Sequence, residues 1–93
     1  MPRFLVLARG TMEARKNIGT AKDSFVELSR LFRAKGATIL NAYAVMGTYD
    51  YAFITDVPEL GDAFELSAMI GTLGSLECET YPLMPLEELF NAI

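Results

Sequence analysis

From Ile39 to Val57 apolar, aromatic and small residues follow one another almost without charge, and the only strong breaker between them is Gly47. The composition predicts two strands, Ile39 to Met46 and Tyr51 to Val57, folded back as a hairpin. Gly47-Thr48 suits a two-residue type II′ turn, because glycine accepts the positive φ of the first central position. That turn sets Val45 opposite Asp50, Ala44 opposite Tyr51, Tyr43 opposite Ala52, Ala42 opposite Phe53 and Asn41 opposite Ile54. Each large ring then faces a small residue, which favours this register over a slip that would exchange the two faces. One face carries Leu40, Ala42, Ala44, Tyr51 and Phe53. The other carries Asn41, Tyr43, Val45, Asp50, Ala52 and Ile54.

Before the hairpin, Phe4-Leu5-Val6-Leu7-Ala8 shows no alternation and predicts a strand from Arg3 to Arg9 buried on both faces. Gly10 to Asn17 is polar and reads as a loop. Ala21, Phe25, Leu28, Leu31 and Phe32 recur at helical spacing within Ile18 to Lys35, and Gly36 suits the stop. After the hairpin, Pro58 at the first helical position opens a second helix running to Thr72, with Leu60, Ala63, Phe64, Leu66, Ala68 and Ile70 as its core residues. A last strand covers Ser75 to Leu83, with Leu76, Cys78 and Thr80 on one face and Glu77, Glu79 and Tyr81 on the other. A short helix, Leu86 to Ala92, offers Leu86, Leu89 and Phe90 for docking.

The order strand, helix, strand, strand, helix, strand predicts one α+β domain over residues 1–93. It is the ferredoxin-like βαββαβ arrangement, a four-stranded antiparallel sheet in spatial order 4-1-3-2 with both helices on one face. Two helices cover one face only, yet three strands are apolar on both. The second strand falls at an edge, and Thr38 to Thr48 holds no charge and no proline to guard it. A second copy, sheet against sheet, supplies the missing cover and makes a homodimeric α+β barrel, or a unit of a larger homo-oligomer.

Composition narrows the chemistry. With 52% hydrophobic residues the chain is too apolar to be disordered. A single cysteine and no histidine remove disulfides, the commonest metal ligands and the commonest general base. We therefore expect no cofactor or metal, and an internal, cytoplasmic setting. No membrane span or signal pattern is seen. All eight basic residues lie in the first 35 positions against three acidic ones, a local balance of +5, while the remaining 58 residues hold nine acids and no base. That division is either a solvated basic helix face, the favoured reading, or self-complementarity between copies. The overall charge of −4 argues against nucleic acid.

The chain resembles the GYD-domain proteins, small dimeric α+β barrels. The resemblance is carried by Met46-Gly47-Thr48-Tyr49-Asp50, by the opening Arg3-Phe4-Leu5-Val6-Leu7-Ala8 and by the closing stretch Gly71 to Thr80. It implies fold and assembly and brings no common activity. Similar barrels include the ligand-binding domains of Lrp/AsnC-type regulators and the antibiotic-biosynthesis monooxygenase and muconolactone-isomerase groups, which bring both sensing and catalysis into view by analogy.

The candidate ligand-binding residues are Asn41, Tyr43, Asp50 and Arg9. Asn41 and Tyr43 share the less apolar hairpin face with Asp50 and offer donors and acceptors to a pocket, or serve as edge amide and core ring. Asp50 is a general base if desolvated; the favoured alternative is that it binds turn amides or pairs with Arg3, on the premise that strands one and three run parallel. Arg9 is expected beside Glu77 or Asp56. Glu77 and Glu79 are better read as edge-strand charges than as a catalytic pair, and Cys78 as a small buried hydrophobe. Met12, Met46, Met69 and Met84 read as gap fillers. The leading function is a homodimeric binding or regulatory module holding a small, mostly apolar ligand. The alternative is a cofactor-free enzyme of the monooxygenase or isomerase type, using Asp50, Tyr43, Asn41 and an arginine around a pocket.

Overall fold

In the computed structural model, which describes residues 1–93, strand β1 (Arg3–Gly10) lies inside a four-stranded sheet. A short helix α1 (Met12–Lys16) and a 3-10 turn (Ile18–Thr20) lead into α2 (Ala21–Ala34). The hairpin β2 (Thr38–Ala44) and β3 (Tyr51–Asp56) follows, then α3 (Leu60–Leu73), β4 (Leu76–Leu83) and α4 (Leu86–Ala92). The sheet order is β2-β3-β1-β4 with every neighbour antiparallel, the ferredoxin-like order expected of two crossing βαβ units.

The predicted hairpin register is present: Asn41 faces Ile54, Ala42 faces Phe53, Tyr43 faces Ala52 and Ala44 faces Tyr51. A bulge interrupts it between Ile39 and Asn41. The turn differs from expectation. Gly47 has φ +151°, far from the roughly +60° of a type II′ turn. The last hairpin bond runs from Val45 N–H to the Asp50 carbonyl at 2.8 Å, so Met46 to Tyr49 form a four-residue loop.

Alternation does appear in β1 once helices cover one side: Phe4, Val6, Ala8 and Gly10 are buried while Leu5 and Leu7 are only half-buried. The core lies between that side and the helices, with Leu28 and Phe32 from α2, Ala63, Leu66 and Ile70 from α3, and Phe53 and Val57 from the hairpin. Burying such side chains is worth about 1.5–3 kcal/mol each before entropy is counted. The α3 assignments are only half met, because Leu60, Phe64 and Ala68 form an outward, exposed stripe. Its start also differs: the helix opens at Leu60 behind the cap residue Glu59, in a reciprocal box with Asp62, so Pro58 stands ahead of the cap and not at the first helical position. Helix α4 leaves Leu86, Leu89 and Phe90 exposed. Met12, Met46 and Met84 are likewise exposed, and Met69 alone of the four packs on the core.

The polar stretch after β1 is helical. Thr11 caps α1 by accepting a bond from the Ala14 N–H at 3.3 Å, Glu13 sits in the first turn, and Arg15 and Lys16 sit in the last, each on the side the helix dipole favours.

Candidate functional site

A cleft of about 990 Å³ opens between α1, the start of α2 and the far end of the hairpin. Its origin is legible in side-chain size. The sheet-facing stripe of α2 runs Ala21, Ser24, Leu28, Phe32. Large residues close its C-terminal half onto the sheet, while Ala21 and Ser24 stand over Ala44 and Gly47 and leave space. Phe25, Tyr51 and Phe53 form an aromatic wall: Tyr51 and Phe53 lie nearly parallel, 6.4 Å between centroids and 8° between planes, and Phe25 lies 5.8 Å from Phe53. Such a volume lies at the upper end of the usual range of about 300–1,000 Å³ for small-molecule sites.

Asp50 stands at the polar end. Its Oδ2 accepts the Gly10 N–H at 2.8 Å and both Nε and Nη2 of Arg15 at 3.2 Å. The Gly10 amide, helped by Arg15, holds the carboxyl below the ordinary aspartate range against the opposing effect of partial burial. The pairing with Arg3 does not occur. The crossovers make β1 and β3 antiparallel, so Arg3 lies beside Asp56 (2.7 Å) and Asp50 meets the opposite end of β1.

The other candidates lie elsewhere. Asn41 and Tyr43 are on β2 and exposed, outside the cleft lining. Arg9 pairs with Glu77 at 3.0 Å, as expected. Glu79 accepts a bond from the Tyr81 hydroxyl. The same carboxylate raises both Tyr49 and Tyr81 above the ordinary phenol range and is itself lowered, chiefly by Tyr49. Burial pushes the Cys78 thiol up. The structure thus brings Asp50 to the cleft and leaves Asn41, Tyr43 and Arg9 on the side of the sheet without helices.

Arg15, Ser24 and Phe25 are among the cleft residues that the sequence did not single out as a site. The signals were present: a Thr11 cap ahead of good helix formers, and small residues where a core stripe should be large.

The GYD domain family pattern matches residues 4–93. The chain belongs to the GYD domain family. Two solved structures share the fold of this GYD domain: FFRP-DM1, at TM-score 0.65 and 17% identity over 90% of this chain and 100% of that one, and TTHA0845 from Thermus thermophilus, at TM-score 0.60 and 17% identity over 91% and 95%. No curated protein matches it significantly. Within this GYD domain the motif residue Asp50 ties the hairpin onto the end of β1. No helix is long and apolar enough to cross a membrane.

Proposed function

We propose that this GYD domain is a cytoplasmic homodimeric binding or regulatory module that pairs through the open face of its sheet and holds a small, mostly apolar ligand in the cleft beneath α2. The observation that carries the reading is the open face itself. Leu5, Leu7, Ala52 and Ile54 are only half-buried, and Tyr43 and Tyr81 remain 57% and 44% exposed, with no helix over them.

Size supports it. Four strands at about 4.8 Å by about seven residues at about 3.3 Å give roughly 440 Å² of flat area per copy. Two copies reach roughly 900 Å² before side-chain relief is added, close to the ~1,000 Å² that a specific interface needs. The unguarded edge β2 would be shielded by the same contact.

The enzymic reading gains less support. A carboxylate stabilised in its ionised form by an amide and a guanidinium is a poor proton acceptor near neutral pH. Native and denatured mass spectrometry of the purified protein tests the proposal. It predicts a two-copy mass, or an even multiple, and a small molecule released on denaturation. A single-copy mass at every concentration would overturn the assembly.

A further inference from the structure

Helix α4 lacks what a helix of its length needs. Every residue from Tyr81 to Ile93 is exposed, and α4 shares no packed face with another element of its own chain. Seven residues are too few for a helix to hold itself in water, where about 12–15 is already marginal, so its stability has to come from packing. A surface for that packing is present: Leu86, Leu89, Phe90 and Ile93 fall at the spacing of one helix stripe. Glu87 and Glu88 fall off it, and neither is paired with a cation of its own chain. The sheet has a matching deficit. Strand β2 lies at an edge and is exposed at every position but Ile39. Thr38, Asp56, Arg3 and Leu83 form one row across the sheet, so β2 starts at the pole where β4 ends and α4 follows. The last turn of α2, which leads into β2, carries Arg33, a cation with no acidic partner.

We propose that α4 is an arm that docks on a second copy of the chain, laying Leu86, Leu89 and Phe90 along the partner's β2 with Glu87 and Glu88 toward the partner's Arg33. This rests on the reading of the open sheet face as a dimer interface and adds the segment that completes it. Two two-fold arrangements bring the open faces together. An axis across the strands sets β4, which carries Glu77 and Glu79, against itself, a like-charge contact. An axis along the strands stacks β4 of one copy over β2 of the other. It stands Glu79 opposite the partner's Tyr43, since Tyr43, Ala52, Leu7 and Glu79 form one row, and so sets a carboxylate acceptor against a phenol donor. It also stands Leu83 opposite the partner's Thr38. The step from Leu83 to Leu86 spans up to about 10 Å, and stacked sheets lie about 10 Å apart, so the arm reaches the partner's sheet. A helix of seven residues is about 10 Å long and about 10 Å across, a footprint of roughly 100 Å². With both arms and both sides of each contact counted, the buried area rises from roughly 900 Å² to roughly 1,300 Å², inside the range of stable pairs.

The test places the photoreactive residue p-benzoylphenylalanine at Phe90 in the full chain, with ordinary and isotope-labelled protein mixed and refolded together. Illumination is expected to join light and heavy copies, with the crosslink on β2 (Thr38–Ala44). Crosslinks confined to one copy overturn the proposal, as do crosslinks between copies that fall on α3 or in the cleft. Because α4 buries nothing in its own chain, Phe90→Asp should leave the fold of a single copy intact by circular dichroism. It should raise the dissociation constant of the dimer at least about tenfold, since each pair loses two apolar anchors. The charge-reversed set Arg33→Glu, Glu87→Arg and Glu88→Arg should pair more tightly than Arg33→Glu alone, and the opposite order overturns the placement of the arm. Sedimentation of the same samples separates the two readings. A wild type that stays single overturns the dimer and the arm with it, whereas a dimer unmoved by Phe90→Asp keeps the open-face pairing and overturns the arm alone.

Discussion

Replacing Asp50 with alanine removes one carboxylate and breaks two kinds of interaction with different weights. The Gly10 N–H, on a buried residue, loses its 2.8 Å acceptor, which costs about 1–3 kcal/mol when no substitute is at hand. The Arg15 pair is half exposed, with side-chain exposures of 51% and 32%, and an ion pair of that kind contributes about 0.2–1 kcal/mol. Asp50→Ala should therefore destabilise by about 1.5–3 kcal/mol, lowering a urea midpoint by about 1–2 M at fixed protein concentration. Arg15→Ala should cost less than half as much. The carboxyl is held below its unfolded value of about 3.9, so its contribution is fully present above that value and is lost as pH falls through the folded value. The stability gap between wild type and Asp50→Asn should accordingly be flat near neutrality and close on acidification below about pH 4. A cost for Asp50→Ala under about 0.5 kcal/mol, or an Arg15→Ala cost equal to it, would refute the assignment of Asp50 as the clasp on the end of β1.

Other outcomes follow from the same geometry. Gly36 has φ +75°, and a Cβ there would stand 3.1 Å from Pro58 Cγ, whereas Gly74 at φ +73° faces open space. Gly36→Ala should thus destabilise by more than Gly74→Ala, whose cost is that of the left-handed backbone alone, about 1–2 kcal/mol; calorimetry on the pair checks the order. Phe32→Ala, at a side chain 2% exposed, should cost about 3–5 kcal/mol by denaturant titration. Cys78, its thiol raised by burial, should react with iodoacetamide more slowly than a free thiol at the same mildly alkaline pH.

What the sequence disclosed and what it hid divide along physical lines. The hairpin register was legible because rings alternate against alanines, and the sheet order because right-handed crossovers admit few arrangements. The turn at Gly47 was not, since a glycine permits a wide loop as readily as a tight one. Helix α1 was hidden by polarity: its five residues bury nothing, so no apolar period announces it, and only the Thr11 cap does. The partner of Asp50 was obscured by strand direction, since a parallel course for strands one and three would set Arg3 beside it. Their antiparallel course carries Arg3 to Asp56 and opens the Gly10 end to Asp50 and Arg15. The cleft could be read only after the fold was known, because small residues on a helix carry meaning once the opposing surface is fixed.

The central claim is that the helix-free face of the sheet meets a second copy. Sedimentation equilibrium of the wild type beside Ile54→Asp, with circular dichroism to show that both are folded, addresses it most directly. The wild type should sediment as two copies or an even multiple, and the added charge on that face should leave a folded single copy. A folded wild type that stays single across the accessible concentration range, or a variant whose assembly is unchanged, would contradict it.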